Sequence, residues 1–213
     1  MLILGNNSAF APDLTAGSTG SAPSIPTTLG SRIDNKATVV GVLQDHEGND
    51  YVLAVVDAVY RSGEAMAWGT NGVDTPLQDN HDSTAALADK HSGKYNTDLI
   101  LSTYTPTDYP AFNFARNACT VTINGNTYYS VLPSLIELRM LYNNKNVLDQ
   151  YDPTVSEYSS RSMSSFVFGA TVAWSSTEYF SNGAWFFSGG AGTFVKNDAI
   201  NLGVCPVICI PLS

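Results

Sequence analysis

Apolar and polar residues alternate along two short runs close to the end of the sequence. The first run is VAWSSTEY, which begins at Val172, and the second is GAWFFSG, which begins at Gly183. Alternation with a period of two is typical of a strand that buries one face. With Ser181, Asn182 and Gly183 as turn residues, the pattern predicts an antiparallel hairpin.

The second strand of this hairpin has two different faces. Trp185 and Phe187 share one face, and Phe186 and Ser188 share the other. The tryptophan face is the better candidate for the core, which leaves Phe186 facing outward beside Phe180. Exposed aromatic rings among Asn, Ser and Gly are typical of a binding surface. A second interpretation, in which both phenylalanines pack beneath a loop, stays open.

Two further hairpins and a buried strand are predicted elsewhere in the chain. In ATVVGVLQDHEGNDYVLAVVDAVY, two β-branched runs flank a turn at Gly48 and Asn49. ACTVTINGNTYYSVL has its turn at Asn124 and Gly125. The nearly continuous apolar run GVCPVICIPL predicts a strand that is buried on both faces.

Two segments carry helix signals. HDSTAALADKHSGKY predicts a short helix that Asp82 or Ser83 caps and that ends at residues 91–93. LPSLIELRMLYNNKNVL predicts a longer one, in which Ser134 and Glu137 form a capping box. The apolar positions that recur on one face of the longer helix are Leu135, Leu138, Leu141 and Tyr142.

Charge is scarce and negative. Charged residues make up 14% of the 213-residue chain, whereas ordinary soluble domains have about 25%. The surface must therefore be polar through Asn, Ser, Thr and Tyr, as on many binding faces. The net charge is −9 with only ten Lys and Arg residues. This balance argues against nucleic acid and anionic membranes as partners.

The first part of the chain differs in composition from the rest. Residues 1–32 are rich in Ser, Thr, Gly, Ala and Pro without a period, which predicts an N-terminal tail or linker. One domain follows over residues 33–213. Met1 to Leu4 is too short and uncharged for a secretory signal. We expect a cytosolic protein, or one that leaves the cell by another route, such as on a virion released by lysis.

Candidate metal ligands do not converge in the sequence. Asp45, Glu47 and Asp50 form an acidic turn, but the turn lacks the downstream glutamate of a calcium loop. His81 and His91 lie ten residues apart with no Cys or Glu at ligand spacing. We therefore interpret the turn as solvated and the histidines as surface or capping residues. No metal and no cofactor are predicted.

No catalytic constellation is visible in the sequence. The three histidines all precede the predicted binding hairpin, and none lies beside a motif Ser or Cys. Cys205 and Cys209 are four residues apart on an apolar strand, about 13 Å at strand rise, so they cannot bridge each other. Apolar surroundings raise thiol pKa values and make thiols inert. The sequence therefore predicts that the chain is not an enzyme.

Four stretches together carry a family resemblance. LPSLIELRMLY, a loop, WSSTEY, AWFF and a closing VCPVI resemble the C-type lectin-like variable proteins of diversity-generating retroelements, within the formylglycine-generating-enzyme-like group. The similarity runs from about Cys119 to the C-terminus. In that family, error-prone reverse transcription randomises the adenines of Asn-type codons near the end of the gene. The variable residues lie on the ligand-binding face.

The resemblance implies which residues bind ligand. Ala184 and Trp185 match the family pattern, which puts Phe186 and Ser188 at variable positions and Phe187 in the core, within a variable region of about residues 174–204. Asn-codon changes yield Asn, Ser, Thr, Tyr, Phe, Gly, Asp, Ile or Val, but not Trp, Glu or Lys. The implied ligand-binding residues are Phe180, Asn182, Gly183, Phe186, Ser188, Gly190, Thr193, Val195, Asn197, Asp198, Ile200 and Asn201.

The implied fold is α+β and C-type lectin-like, with two helices and a twisted antiparallel sheet whose terminal strands pair. ATVVGVL and VCPVICI are the candidates for that pairing. The implied function is ligand display by a phage receptor-binding protein or tail adhesin, on a virion or a cell surface. The alternatives are a calcium-dependent or glycan-binding lectin domain and an oxidase relative of the formylglycine-generating type.

The resemblance also implies the kinds of partner. A host-surface protein or glycan is the expected ligand. The N-terminal tail is a candidate attachment point for a tail fibre or chaperone, and a homotrimer is compatible with such a role. No nucleic acid partner is expected.

Overall fold

The protein has an α+β fold in a computed structural model, which describes residues 24–56, 65–148, 172–198 and 202–212. The strands are β1 (Arg32–Ile33), β2 (Ala37–Gln44), β3 (Asp50–Val56), β4 (Thr120–Ile123), β5 (Asn126–Tyr129), β6 (Val172–Phe180), β7 (Gly183–Phe187), β8 (Ala191–Val195), β9 (Leu202–Gly203) and β10 (Ile208–Pro211). The helices are α1 (Ser83–Ala88), α2 (Gly93–Thr103), α3 (Pro110–Ala118) and α4 (Leu135–Leu148), with a 3₁₀ turn at Pro106–Asp108. The described ranges thus hold four helices, so the prediction of two is wrong.

The first sheet has the strand order β1-β2-β3-β10. The predicted hairpin of β2 and β3 is confirmed. The C-terminal strand β10 pairs with β3, with Cys209 opposite Leu53, and not with ATVVGVL as predicted. β2 cannot take this partner because β1 and β3 already pair with its two edges. The other edge of β3, which is buried from Tyr51 to Val56, therefore receives β10.

The second sheet has the strand order β8-β7-β6-β9 and contains the predicted hairpin of β6 and β7. Each face of this hairpin packs against its own hydrophobic cluster. Trp185 and Phe187 belong to one cluster with α4, as predicted. Trp174 and Ala184 belong to a second cluster with residues of α2 and α3. The sheet is therefore buried on both faces along much of its length.

A separate two-stranded sheet confirms the third predicted hairpin. β4 and β5 pair around Asn124 and Gly125. Both turn residues have positive φ angles, 49° and 79°. Two successive positive φ angles define the turn that matches strand twist, and Asn-Gly tolerates them best.

The predicted helices α1 and α4 are confirmed, but the helix between residues 93 and 103 was not predicted. The Asp82 side chain accepts hydrogen bonds from two N–H groups in the first turn of α1, as predicted. The helix ends at Ala88, however, and residues 91–93 begin α2. The Ser92 side chain caps that second helix by accepting from the Tyr95 N–H. Ser92 and Gly93 therefore begin a helix, whereas the sequence pattern predicts that a helix ends there.

Glu137 joins two helix starts and β3 inside the core. Its carboxylate accepts a hydrogen bond from the Ser134 N–H at 2.7 Å, which is half of the predicted capping box. The same group accepts from the Tyr51 hydroxyl at 2.7 Å and from the Gly93 N–H at 3.1 Å. The Glu137 side chain is fully buried, and burial raises its pKa.

The N-terminal end of the described chain already packs on the domain. Ile25 contacts a third cluster, formed between the first sheet and β4. The Gly30 N–H donates to the Val39 carbonyl at 2.9 Å. Residues 1–23 of the predicted tail lie outside the described residues. No helix in the described ranges is long and apolar enough to cross a membrane.

Candidate functional site

The predicted binding residues gather along β7, β8 and the turns at their ends. Gly183 and Phe186 lie in β7, and Thr193 and Val195 lie in β8. The exposed members are Asn182, Ser188, Gly190, Thr193, Val195 and Asn197. The half-buried members are Phe180, Phe186 and Asp198, and Gly183 is buried. Ile200 and Asn201 lie outside the described residues.

Contrary to the prediction, the Phe186 side chain does not face solvent. It is half-buried and packs against the cluster that contains Trp174. Its ring lies over Gly192 of β8, where an added Cβ would stand 2.5 Å from the ring. A glycine opposite an aromatic residue makes room for the ring across the strand pair. The interpretation that Phe186 packs inward is the better one, although part of its ring stays accessible.

Phe180 has different neighbours from Phe186. Its ring packs edge-on against Tyr179 at a centroid distance of 4.5 Å, and the His81 ring lies 6.3 Å away. Phe186 instead has Phe194 as its ring neighbour, at 6.5 Å. The expectation of one aromatic pair is therefore wrong, and the candidate site has two separate aromatic patches.

Phe194 is a candidate contact residue that the sequence analysis missed. Its side chain is 40% exposed, and Val195 beside it is 46% exposed. Both lie in β8, where Thr193 and Val195 belong to the predicted binding residues. AGTFV has no strict alternation of apolar and polar residues, so its pattern does not indicate which way Phe194 faces.

A buried ion pair anchors the end of this exposed segment. Lys196 and Glu178 are both fully buried, and the Lys196 ammonium contacts the Glu178 carboxylate. The ammonium also donates to the Val73 carbonyl at 2.7 Å and lies 4.9 Å from the centre of the Trp68 ring. The Thr75 hydroxyl donates to the other Glu178 oxygen. The pair was not predictable from the sequence, because a buried lysine has the same local signature as an exposed one.

The contact between the two charged groups offsets part of the free-energy cost of burying them. Burial raises the pKa of Glu178 and lowers the pKa of Lys196, and their mutual contact opposes both shifts. Removing one partner of such a pair leaves an uncompensated charge in the interior. Lys196 is therefore a scaffold residue inside a segment that is otherwise largely open to solvent.

Two exposed carboxylates lie beside this pair. Oxygen atoms of Asp74, Asp79 and Glu178 lie within 4.8 Å of one another. Oxygen ligands at such spacing suit a hard cation such as Ca²⁺. The Lys196 ammonium already supplies a positive charge to Glu178.

At the acidic turn between β2 and β3, the Asp45 carboxylate accepts hydrogen bonds from the backbone N–H groups of Glu47 and Asn49.

The loop that precedes α1, residues 65–82, is hydrogen-bonded to the backbone of the candidate site. Its backbone N–H groups donate to carbonyls at four places between residues 178 and 202. These bonds run from Met66 to Leu202, from Gly69 to Lys196, from Gly72 to Ser181 and from Asn80 to Glu178. The indole N–H groups of Trp174 and Trp185 donate to carbonyls of the same loop, each at 2.8 Å. The strand ends are thus fixed independently of their exposed side chains.

The buried thiols show no sign of activation. Complete burial raises the pKa of Cys205 to about 12. Burial also raises the pKa of Cys209 well above its usual range, and its sulfur lies 3.6 Å from a Glu137 oxygen. Since the thiolate is the reactive form, both residues fit a packing role. His91 is engaged with the Asp89 carboxylate at 2.6 Å.

Comparison with known proteins gives no relative for this chain. No family model, no curated protein and no solved structure matches it. The described strands and helices form an α+β fold with mostly antiparallel sheets.

Proposed function

We propose that the chain is a ligand-binding display protein with a C-type lectin-like domain, whose exposed residues in the variable region are diversified by a retroelement. Its role would be that of a phage receptor-binding protein or tail adhesin. The ligand would be a protein or glycan of the host surface. The absence of catalysis and of cofactors is part of the same proposal.

One observation carries the proposal. Within residues 172–198, the buried anchors lie in β6, in β7 and just after β8, whereas the exposed residues lie in the turns beside these strands and in β8. The anchors are Trp174, Glu178, Trp185, Phe187 and Lys196. None of the exposed members of the predicted set is Trp, Glu or Lys, which are the residue types that Asn-codon changes do not yield. A surface that tolerates substitution on a fixed scaffold is what diversification needs.

A calcium-dependent lectin is the second candidate. The observation in its favour is the convergence of Asp74, Asp79 and Glu178. Against it stands Lys196, whose ammonium contacts Glu178 and competes directly with a cation. We therefore rank metal-independent binding first.

Two matched libraries test the proposal. The first randomises Asn182, Ser188, Thr193 and Asn197, and the second randomises the same number of anchors, Trp174, Trp185, Phe187 and Lys196. Both are displayed and measured by protease resistance and by binding to an array of purified proteins and glycans. We expect most members of the first library to stay folded and to differ in what they bind. The second library should lose the fold.

Two results would contradict the proposal. One is a surface library as unstable as the anchor library, which would mean that the exposed residues are structural. The other is a set of folded surface variants that share one unchanged binding profile. Diversification itself is tested in the flanking DNA, which should hold a near-copy of the 3′ end that differs at adenines, beside a reverse transcriptase gene.

A further inference from the structure

Strand β8 forms one edge of the second sheet. Among the described strands it pairs with β7 alone. Two bonds at the ends of the pair fix its hydrogen-bond pattern. The Lys196 N–H donates to the Asn182 carbonyl, and the Ser188 N–H donates to the Gly190 carbonyl, each at 3.1 Å.

This pattern determines which backbone groups of β8 are turned away from the sheet. Ladder bonds alternate along an antiparallel pair. The N–H and C=O groups of Gly192 and Phe194 therefore point toward β7, and those of Ala191 and Thr193 point away from it. The outward groups are the donors and acceptors that an added strand requires.

The described residues of β8 carry no feature of their own that blocks pairing. Natural edge strands are blocked by charged side chains, prolines or bulges. The sequence of β8, AGTFV, contains no charge and no proline, and its register with β7 is continuous. Phe194 and Val195 also expose large apolar side chains there.

The surroundings of the edge are acidic. In residues 172–198 the one Lys or Arg is Lys196, which is buried. Asp74 and Asp79 are exposed, and the neighbouring Val73 carbonyl binds the Lys196 ammonium at the end of β8. Asp198, which is half-buried, follows two residues later. Charge complementarity at this end of the strand therefore favours a cationic group.

We infer that the ligand is a protein, and that an extended segment of it binds by adding a strand to β8. The inference rests on the proposed function and narrows it from proteins and glycans to polypeptide. Backbone bonds to Ala191 and Thr193 hold the segment, an apolar side chain of the segment packs on Phe194, and a Lys or Arg lies toward Asp74 and Asp79.

The first test uses a display library of random twelve-residue peptides as the probe. We expect it to yield peptides that bind the purified chain and carry a basic residue near one end of an apolar run. Thr193→Pro removes the outward N–H at a position where an edge strand tolerates proline. Thr193→Val keeps that N–H and serves as the control. Affinity should fall by at least about tenfold for the proline variant and by less than about threefold for the valine variant.

Hydrogen exchange gives a second readout that does not depend on a variant. On addition of peptide, exchange of the Ala191 and Thr193 amides should slow, whereas the Gly192 and Phe194 amides are already protected by β7. Peptides that are N-methylated at alternate positions provide the reciprocal test. One register of methylation should abolish binding, and the other should not.

Any one of the following outcomes would overturn the inference. Equal losses for the proline and valine variants, or slowed exchange at Gly192 and Phe194 alone, would exclude added backbone pairing. A Thr193 amide that is protected in the free monomer would show that the chain covers its own edge. Self-association that Thr193→Pro abolishes would make a second copy the occupant. Binding on a glycan array without any peptide binder would overturn strand addition and leave the proposed function standing, whereas failure of the surface library would remove both.

Discussion

At the scale of single residues, Lys196 and Glu178 are oppositely charged and fully buried, and their side chains contact each other. Lys196→Met should lower the free energy of unfolding by about 3–5 kcal/mol, because it leaves the Glu178 carboxylate buried without its cation. The double variant Lys196→Met with Glu178→Gln should recover more than half of that loss. Urea denaturation of the wild type, the two single variants and the double variant measures the coupling. Additive losses would show that the pair contributes no interaction.

The aromatic residues of β7 and β8 should differ in what they contribute to stability. Trp185→Ala should cost about 3–5 kcal/mol, because the Trp185 side chain fills a closed core. Phe194→Ser should cost about 1 kcal/mol or less, since that side chain is 40% exposed. Phe186→Ser should fall between them, at about 1.5–3 kcal/mol. Thermal melts give the order, and a Phe194 variant as unstable as the Trp185 variant would place β8 inside the core.

Glu137 should make stability depend on pH. Its pKa is raised in the folded state, so above about pH 4.3 the native state holds more protons than the unfolded chain. Stability from this group is therefore complete below that pH and is lost as the pH rises through the folded-state pKa. The difference in free energy of unfolding between the wild type and Glu137→Gln should shrink from pH 4 to pH 7. Leu138→Ala, which removes a buried apolar neighbour, should show a difference that is constant with pH. A growing difference for Glu137→Gln would mean that its hydrogen-bond donors outweigh burial.

At the scale of elements, β10 is the outer partner of β3 and lies entirely in the core up to Ile210. Deleting residues 204–213 should prevent folding, because it removes buried core residues and uncovers the edge of β3, which is buried from Tyr51 to Val56. Deleting residues 212–213 is the control and should lower the melting temperature only modestly. A chain shortened at residue 204 that still melts cooperatively near the full-length temperature would show that β3 does not need this partner.

The elements also show what local sequence can predict. The hairpins at Gly125 and Asn182 and the helix start at Ser134 were predictable because turn and cap residues act on neighbours in the chain. The partner of β10 was not, since several apolar strands fit that place equally well by pattern. The ion pair of Lys196 was equally hidden, because a buried lysine has the same local signature as an exposed one.

At the scale of the whole molecule, the prediction that no metal is required remains to be tested. Three carboxylates converge at Glu178, and Lys196 provides the opposing charge within the chain itself. A ligand raises the melting temperature only if it binds the native state, and we expect no calcium to bind here. Addition of calcium or of a chelator should therefore change the melting temperature of the wild type by less than about 1 °C. Differential scanning calorimetry with calcium, with magnesium and with a chelator measures this. A calcium-dependent rise would favour the lectin alternative.

The parallel pairing of β6 with β9 brings the two ends of the predicted variable region close together. Val172 lies opposite Leu202 and Ala173 opposite Gly203, so the chain enters and leaves this region on adjacent strands, about 4.8 Å apart. The flanking chain meets the same two fixed ends when the exposed residues between them change. The exposed turns between these ends can therefore be replaced without moving the flanking chain, as long as buried anchors such as Trp174, Trp185 and Lys196 are kept.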